Sequence, residues 1–551
     1  MNRNTYIRAG LAALSAAPAV YSTAQTAARP NIIMILVDDM GFSDSSPYGA
    51  TDLHTPNLDR LAQEGIRFRQ FYNNAISAPT RASVITGQYQ HRAGIGYFDV
   101  DLGDPAYQGY LNQSSLTFGE VLQQAGYSTF VSGKWNVGQK REYWPRQRGF
   151  DRAFGFLYAR NPYFNDGRKA EGDSNVLGRG LVQELWLDNE PYESPEGKYL
   201  TDDITDHALQ FIDDQQHETK GKKPFFLYLP FNAPHAPLHA LPEDIARYEG
   251  VYAIGWDSLR QRRFDNAKSL GLIKANTRLA PHDDGIQRWG ELTYYEKLYW
   301  QKREEVFAAM IDRVDQSIGR LLAKLKELGQ DENTLIVFCS DNGAQGGSRL
   351  RDEGSDGPIG APGTYYIPLG HWSQAGNSPL REYKARPYEG GISSPFIAWY
   401  PGKIKGGQIV DGIGHIIDLA PTFYELAGAK YPKKYKGVKT YALPGKSLLP
   451  VLTGQCDVVD RGAPLFWEWA GNRAVRDGKW KLVSIYPEKR TELYDIEADR
   501  GETTDVSSQH PDIVTRLLQQ WEQWAAQNDV KDFEQFSELT RKNRQAILSR
   551  K

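Results

Sequence analysis

Short runs of apolar residues alternate with amphipathic stretches along most of the chain from residue 31 onward. Residues 31–37 (NIIMILV) have the length and the β-branched composition of a buried strand. Thr55 and Pro56 are typical of an N-cap and a first helical residue, and an apolar helical spacing extends from Met310 to Leu325. The further predicted strands are 127–133 (YSTFVSG), 224–231 (PFFLYLPF), 334–340 (TLIVFCS) and 394–400 (SPFIAWY). Strands that alternate with helices predict an α/β fold, in which helices sandwich a large, mostly parallel sheet.

The pattern changes towards the C-terminus, where short strands follow one another without intervening helices. Residues 472–487 and 491–498 predict antiparallel strands, with a turn at Asp477 and Gly478. A final amphipathic helix is predicted after them, because apolar residues recur there at helical spacing. These residues are Ile513, Leu517, Leu518 and Trp521.

We therefore predict three segments in the chain. A signal peptide occupies residues 1–24, a large α/β domain that carries the active site occupies 29–440, and a smaller C-terminal α+β domain, built on an antiparallel sheet, occupies 441–551. The stretch 240–300 is polar and aromatic, and we assign it to the rim of the large domain rather than to its core.

The first residues have the features of an export signal. Arg3 and Arg8 are positively charged, residues 9–20 are apolar and small, and residues 22–24 (STA) offer a small-x-small cleavage site. The apolar stretch is too short to span a bilayer, and no comparable segment follows it. The alternative is a buried N-terminal helix. Since no cysteine lies near the cleavage site, we expect a periplasmic or secreted protein without a lipid anchor.

Composition and charge exclude several classes of protein. The 551 residues carry a formal net charge of -3, which makes binding to nucleic acid through phosphate neutralisation a poor hypothesis. Cys339 and Cys456 are the two cysteines of the chain, too few for a disulfide scaffold or a cysteine-rich zinc module. We expect both to be free thiols.

Acidic and amide side chains follow two of the predicted strands. Asp38 and Asp39 come after the first strand, and Asp341 and Asn342 come after the strand at 334–340. In an open parallel sheet, ligands bind beyond the carboxyl ends of the strands. Converging oxygen ligands at that edge would suit Ca²⁺ or Mg²⁺. Taken singly, each dipeptide also fits a structural role, as a capping pair or as a turn.

A second cluster runs from Ser77 to Arg81. Pro79 favours a helix start, so that Ser77 lies at a helix N-terminus, where free N–H groups and the helix dipole favour an anion. Arg81, one turn later, lies on the same side and suits two oxygens of a tetrahedral oxyanion. The alternative is an ordinary serine cap with a surface arginine.

These residues resemble a known family. The pattern S-x-P-T-R-x-x-x-x-T-G at residues 77–87 is similar to the signature of the formylglycine-dependent (type I) sulfatases of the alkaline-phosphatase-like superfamily, and its leading serine to the serine-type signature. Other stretches match the family in its order, from residue 30 to the C-terminal E-L-Y-D-I; they include N-I-I-M-I-L-V-D-D-M-G, G-K-W, A-P-H-A-P, S-D-N-G and K-x-x-x-x-E-G-G. H-R-A-G-I-G and G-W-D-S-L-R most resemble the bacterial arylsulfatase branch.

The resemblance implies a metal site and a modified nucleophile. Ser77 would be oxidised to formylglycine (3-oxoalanine) by a radical maturation enzyme, before export. The hydrate of that aldehyde would join the ligands of one Ca²⁺, which are Asp38, Asp39, Asp341 and Asn342.

The resemblance also implies roles for the surrounding cations. Arg81, Lys134 and Lys384 would bind the hydrate and the sulfate, and His235 would lie beside the leaving oxygen. The hydrate would attack sulfur with Asp341 as base, and the sulfated diol would then collapse to the aldehyde and release sulfate.

One position departs from the family pattern. After Gly133, Lys134 and Trp135 the family usually has a histidine, thought to assist collapse of the sulfated diol, whereas this chain has Asn136. An amide can hydrogen-bond but cannot take up a proton near neutral pH. By proximity in sequence alone, the residues that could substitute are His91 and His239.

Two alternative functions stay open at this point. One is a phosphatase or phosphodiesterase of the same superfamily, with unmodified Ser77 as nucleophile and two zinc ions. The other is a non-catalytic protein that binds sulfated glycans. For the sulfatase, the expected substrates are carbohydrate sulfates, with galactose sulfate as a first hypothesis, and artificial aryl sulfates. The aromatic residues that could pack on sugar rings, or equally form ordinary core, are Trp372, Trp467, Trp469, Tyr365 and Tyr366.

Overall fold

The computed structural model describes residues 29–167, 182–346, 357–368 and 370–549. The predicted signal peptide at 1–24 lies outside the described residues. Within them, no helix combines the length and the apolar character needed to cross a membrane.

The core of the molecule is an 11-stranded sheet with helices on both faces, which confirms the predicted fold class. Its strands are β1 (Asn31–Val37), β2 (Ile66–Tyr72), β3 (Ser128–Lys134), β4 (Arg152–Phe156), β5 (Leu185–Leu187), β6 (Glu190–Tyr192), β7 (Phe225–Pro230), β8 (Thr334–Ser340), β9 (Ser393–Ser394), β10 (Phe396–Trp399) and β11 (Gln408–His415). Their order is β11-β2-β10-β8-β1-β7-β3-β4-β5-β6, with β9 paired to β2.

The helices flank this sheet and the C-terminal region. They are α1 (Pro56–Glu64), α2 (Ser77–Thr86), α3 (Gln90–Ala93), α4 (Phe118–Gln124), α5 (Leu200–Thr219), α6 (Pro242–Ala246), α7 (Gly255–Ser269), α8 (Tyr294–Glu327), α9 (Gly370–Gly376), α10 (Glu389–Ile392), α11 (Leu419–Ala427), α12 (Leu449–Leu452), α13 (Pro511–Gln527) and α14 (Phe533–Ser549).

The side chains of β1 alternate between two apolar clusters. Ile33 and Ile35 belong to the cluster that contains residues of α5 and α8, whereas Ile32 and Met34 belong to the cluster that contains residues of α2, α4 and α11. A strand covered on both faces has no polar face, which is why β1 reads as a continuous apolar run.

The sheet is mixed rather than uniformly parallel. The central strands β8, β1, β7, β3 and β4 run parallel, but β10, predicted at 394–400, is antiparallel to both β8 and β2. Strands β5 and β6 add a further antiparallel edge.

The assignment of residues 240–300 to the rim is wrong for much of α7. Trp256, Leu259 and Phe264 are buried in the same apolar cluster as β1. Gly255 makes this packing possible, because its φ is +77° and a Cβ atom there would lie 2.1 Å from the indole of Trp289. The sequence of α7 is mostly polar, and its three large buried apolar residues do not recur at a regular helical spacing. A prediction that relies on such spacing therefore assigned the segment to the rim.

The C-terminal region contains a four-stranded antiparallel sheet, as predicted. A two-stranded antiparallel pair, β12 (Lys434–Tyr435) and β13 (Val438–Lys439), precedes it in the chain. The strands of the four-stranded sheet, in spatial order, are β14 (Leu465–Trp469), β15 (Asn472–Asp477), β16 (Trp480–Ile485) and β17 (Arg490–Asp495). The predicted turn at Asp477 and Gly478 joins β15 to β16, with Gly478 at φ +59°. The boundary at residue 440 stays a prediction.

The predicted final helix corresponds to α13, whose Leu517 and Trp521 pack on this sheet. It is not the last helix, because α14 follows it and places Phe536 against Tyr97 and Tyr107. Apolar residues recur at helical spacing in α14, at Phe533, Phe536 and Leu539, a signal that the prediction of a single final helix missed. Both cysteines are free, with Cys339 buried and Cys456 exposed.

Candidate active site

The candidate site lies at the carboxyl ends of the central parallel strands. Val37 of β1 is in register with Ser340 of β8, so Asp38 and Asp341 are the next residues on neighbouring strands. Lys134 ends β3 at the same edge of the sheet. The topology thus brings together residues that are separated by about 300 positions in sequence.

Asp38 is fully buried and contacts three of the predicted site residues. Its Oδ1 accepts a hydrogen bond of 3.1 Å from Ser77 Oγ, and its Oδ2 accepts one of 2.5 Å from Lys134 Nζ. Arg81 Nη2 lies 3.3 Å from the same Oδ2. A single carboxylate therefore joins the predicted nucleophile to two of the predicted anion-binding cations.

Asp39 faces the other half of the site. Its φ is +68°, a left-handed conformation that aspartate adopts more readily than most residues and that turns the chain at the end of β1. Its Oδ1 accepts hydrogen bonds of 2.6 Å from both Lys384 Nζ and Asn342 Nδ2. Its Oδ2 is buried without a hydrogen-bond partner among the described residues and lies 3.6 Å from His235 Nε2.

Ser77 is the first residue of α2 and faces both Asp38 and Asn342. Besides the bond to Asp38, its Oγ lies 3.3 Å from Asn342 Oδ1. One turn later, Arg81 Nη2 donates a 2.9 Å hydrogen bond to Asp341 Oδ2. The spacing of the motif thus places Ser77 and Arg81 on one side of the helix, as the sequence predicts.

The oxygen atoms of this cluster fit a hard cation. Ligand atoms of Asp38, Asp39 and His235 lie within 4.8 Å of one another, and the unpartnered Oδ2 of Asp39 lies among them. The oxygens of Asp38 and Asn342 that face Ser77 extend this oxygen-rich set. Carboxylate and amide oxygens are the ligands that Ca²⁺ and Mg²⁺ prefer, whereas zinc sites use several histidines or cysteines.

Burial shifts the pKa values of the acidic and basic groups here. For Asp341, burial and the charge of Asp38 raise the pKa to about 7. Burial also raises the pKa of Asp38, but Lys134, His235 and Arg81 outweigh it and hold the value well below its usual range. The pKa of His235 falls to about 4, chiefly through burial.

A cavity of about 1020 Å³ opens in front of Ser77. Lys134, Asn136, His235 and Lys384 line it together with Ser77, whereas Arg81 and Asp341 are fully buried. Its volume is at the upper end of the range for small-molecule pockets, which leaves room for more than a sulfate group. All ten residues predicted for the site therefore lie in or beside one cavity.

Asn136 is on the cavity wall in a left-handed conformation, with φ +54°. It is buried, and its Nδ2 has no hydrogen-bond partner among the described residues. His91 Nε2 lies 2.7 Å from Glu468 Oε2, and His239 Nε2 lies 2.8 Å from the carbonyl oxygen of Thr364. The described lining of the cavity contains neither histidine.

Of the five aromatic residues considered for sugar binding, Trp469 is the one in the described lining of the cavity. Trp467 packs in the apolar cluster that contains the four-stranded sheet, and Trp372 packs in the cluster that contains residues of α5 and α8. The cavity is also lined by arginines that were not predicted for the site, among them Arg160 and Arg260. Arg260 is the last residue of the G-W-D-S-L-R motif, a usable signal, whereas nothing in the sequence marks Arg160.

Comparison with known proteins defines the class to which this fold and site belong. Residues 30–429 match the sulfatase family model, and residues 383–527 match the model of the C-terminal region of N-sulphoglucosamine sulphohydrolase. The chain belongs to the sulfatase family and is a sulfatase, which confirms the resemblance found in its sequence.

Individual relatives place it more closely. The chain is 34% identical over 442 residues to an arylsulfatase of Klebsiella aerogenes, covering 77% of this chain and 90% of the relative. It is 34% identical over 536 residues to an uncharacterized sulfatase of Schizosaccharomyces pombe, covering 91% and 94%. Among solved structures, the Ps i-CgsB complex with k-i-k-neocarrahexaose has 26% identity and a TM-score of 0.68, covering 93% of this chain and 96% of the other.

Proposed function

We propose that the protein hydrolyses sulfate monoesters of carbohydrates, through a formylglycine hydrate derived from Ser77 and one bound Ca²⁺. The observation that carries this proposal is the position of Ser77, which lines the cavity and whose Oγ donates to Asp38 Oδ1 and lies 3.3 Å from Asn342 Oδ1. A nucleophile there can contact the metal ligands and the substrate together.

Asp38, Asp39, Asp341 and Asn342 would hold the Ca²⁺, whose charge would polarise the nucleophile and the sulfate oxygens. Lys134 and Lys384 line the cavity, where their charges stabilise the developing negative charge on the sulfate oxygens. His235 and Lys384, on the same wall, would protonate or stabilise the leaving oxygen as the ester S–O bond breaks. Because the pKa of His235 is lowered and that of Lys384 is raised, Lys384 is the group that carries the proton at neutral pH.

A geminal diol explains why Ser77 would be modified. In the first step, one hydroxyl of the diol would bond to sulfur, Asp341 would take its proton, and the ester S–O bond would break to release the alcohol. In the second step, the other hydroxyl would lose its proton, the C–O bond to sulfate would break, and the aldehyde would form again. A sulfated, unmodified serine has no second hydroxyl on that carbon and therefore cannot expel sulfate in this way.

Several observations support a carbohydrate substrate. The chain is 30% identical to the N-acetylgalactosamine-6-sulfatase of Mus musculus over 465 residues, covering 71% of that relative. The indole of Trp469 lines the cavity and stacks on Tyr97 with ring centroids 4.8 Å apart, which gives a rigid aromatic surface for a sugar. A galactose sulfate stays the first hypothesis, with aryl sulfates as artificial substrates.

The proposal includes oxidation of Ser77 by a serine-type radical maturation enzyme before export to the periplasm or beyond. Mass spectrometry of the peptide spanning Ser77, from protein made in its native host, tests it directly. Loss of two hydrogens, with hydrazine trapping of an aldehyde, is the expected result.

An intact Ser77 in active protein would contradict the proposal. Two zinc ions per chain would then indicate a phosphatase, whereas binding of sulfated sugar without release of sulfate would indicate a glycan-binding protein. His235 is the one histidine that the described residues place among the candidate metal ligands, which favours Ca²⁺ over a two-zinc centre.

A further inference from the structure

The wall of the cavity beyond Ser77 is rich in positive charge. The acidic residues in its described lining are Asp283, Asp284 and Glu382. The lysines and arginines in that lining are Lys134, Arg160, Arg260, Arg381, Lys384, Arg386 and Arg490. The lining thus holds seven cations and three carboxylates, and carboxylates behind the wall decide which of the cations keep an uncompensated charge.

Most of these cations have a carboxylate partner within the protein. The nearest N–O distances are 2.5 Å for Lys134 with Asp38, 2.6 Å for Lys384 with Asp39, 3.5 Å for Arg386 with Glu382, 3.5 Å for Arg381 with Glu492, and 2.9 Å for Arg490 with Glu492. Among the described residues, Arg160 and Arg260 are the two lining cations without a carboxylate oxygen within 4.0 Å.

Arg160 lines the cavity and follows the carboxyl end of β4, at the same edge of the sheet as Lys134. It follows β4 by four residues, and the last residue of that strand, Phe156, is in register with Lys134. Its Nη1 donates a hydrogen bond of 2.5 Å to the hydroxyl of Tyr365, and its guanidinium lies 5.7 Å from the centroid of that ring. These neutral contacts orient the guanidinium and leave its charge uncompensated.

Arg260 reaches the same cavity from α7. It is 7% exposed, its Nη2 donates to the carbonyl oxygens of Ala280 and Pro281, and its Nε is buried without a partner among the described residues. Burial lowers the pKa of the Arg260 guanidinium below its usual value. Asp257, on the same helix, instead contacts Arg288, 3.2 Å away.

Arg260 is a buried charge without a carboxylate partner, which is unfavourable unless an anion compensates it, and the half-buried Arg160 also has none. A guanidinium pairs best with a planar or tetrahedral oxyanion. We propose that Arg160 and Arg260 bind a second anionic group of the substrate, a carboxylate or a further sulfate, in addition to the sulfate that is cleaved. The substrate class is then an acidic glycan rather than a neutral sugar with one sulfate. This inference rests on the proposed function for its kinetic readout.

The test compares three disaccharides that share the same terminal galactose sulfate. Their second sugar is neutral, carries a carboxylate, or carries another sulfate. We expect kcat/KM for at least one charged disaccharide to exceed the neutral value by about tenfold or more, as for a charged hydrogen bond. Arg160→Gln, Arg260→Gln and the double variant should reduce this preference towards one. Arg262→Gln, an exposed position on α7, should keep it.

The two charged disaccharides distinguish the source of the anion. A preference for the carboxylate indicates a uronate, and a preference for the second sulfate indicates a polysulfated chain. Equal kcat/KM for all three disaccharides, or a preference that survives in the double variant, would overturn the proposal. If Arg260→Gln does not fold, Arg160→Gln and Arg260→Lys provide the test. Arg260→Lys keeps the positive charge but cannot form two parallel hydrogen bonds to an oxyanion.

Calorimetry separates failure of this inference from failure of the proposed function. For this purpose the sulfate is removed from the terminal galactose, while the second sugar keeps its carboxylate or its sulfate. Titration with these two compounds measures binding without cleavage of the galactose sulfate. If wild-type protein cleaves no sulfate ester but binds a charged disaccharide, and Arg160→Gln weakens that binding about tenfold, then the anion subsite stands and the hydrolase proposal fails. If the protein cleaves all three disaccharides without any charge preference, the hydrolase proposal stands and the anion subsite fails.

Discussion

Arg81 Nη2 lies 2.9 Å from Asp341 Oδ2, and both side chains are completely buried. The pair belongs to a cluster with equal numbers of positive and negative side chains, namely Arg81, Lys134, Lys384, Asp38, Asp39 and Asp341. A divalent cation adds two positive charges to this balanced set, and an anionic sulfate ester then compensates part of them. The arrangement favours binding of metal and substrate together.

Replacing Arg81 should therefore affect both activity and stability. In Arg81→Ala, Asp341 loses its partner while it stays buried, and we expect the free energy of unfolding to fall by about 3–5 kcal/mol in the absence of metal. Turnover of sulfate esters should be abolished. Urea denaturation and steady-state kinetics measure the two effects.

Arg81→Lys is the matched control for this prediction. It keeps the charge and should retain most of the stability, but a lysine cannot form two parallel hydrogen bonds to an oxyanion. Activity near wild type in Arg81→Ala would contradict the assigned role.

Calcium should stabilise the folded protein measurably. A ligand that binds the folded state alone adds about 2.7 kcal/mol at a concentration roughly 100-fold above its dissociation constant. We expect EGTA to lower the melting temperature and to abolish activity, and added Ca²⁺ to restore both. Asn342→Ala, which removes one oxygen that faces Ser77, should weaken the response to Ca²⁺. Restoration by Zn²⁺ and not by Ca²⁺ would contradict the predicted ion.

The sequence indicated this site because each of its residues follows a recognisable strand or lies in a family motif. Asp38, Asp341 and Lys134 sit at strand ends, and the parallel topology alone requires these ends to meet. Arg160 and Arg260 could not be placed in the same way. Their positions depend on how segments beyond the strand ends fold over the cavity, and no periodic pattern records that.

The error at α7 in the predicted fold has the same cause, because it concerns contacts that no periodic pattern records. The core strands and α8 were recognised from long apolar patterns, whereas α7 buries Trp256 and Phe264 from a sequence that looks polar.

The cap of α1 also depends on a residue that is distant in sequence. Thr55 precedes α1 as predicted, but its side chain does not cap that helix.

Asp315 of α8 instead accepts hydrogen bonds at the start of α1, from the backbone N–H groups of Asn57 and Leu58 at 3.1 and 2.8 Å. Burial outweighs these bonds and raises the pKa of Asp315 to about 6. Since the folded value is above the unfolded one, this group favours folding most at low pH, and its contribution is lost as the pH rises from about 4 to about 6.

Asp315→Asn should remove this dependence while it keeps an acceptor for one of the helix N–H groups. The difference in unfolding free energy between variant and wild type should shift in favour of the variant as the pH rises from about 4 to about 7, by an amount on the order of 3 kcal/mol. Urea denaturation at several pH values measures it. Glu332→Gln, at an exposed position, is the control. A difference that stays constant with pH would contradict the prediction.

Asn136 offers a test of how the second chemical step proceeds. Its buried Nδ2 has no hydrogen-bond partner among the described residues, and it lines the cavity beside Lys134. An amide can hold the sulfated diol by a hydrogen bond but cannot remove its proton near neutral pH. If release of sulfate limits turnover, rapid mixing should show a burst of alcohol product equal to one equivalent per active site, followed by slower steady turnover.

Asn136→His restores a group that can take up a proton at this place in the cavity. We expect the variant to fold, because asparagine and histidine are both tolerated at positive φ, and to show a faster steady phase with a smaller burst. Asn136→Gln, which lengthens the side chain without adding a base, should not accelerate the steady phase. Mass spectrometry of quenched enzyme provides a second readout, since the sulfated form of residue 77 should accumulate in wild type and decrease in Asn136→His. Unchanged kinetics and unchanged accumulation would mean that another group already removes this proton.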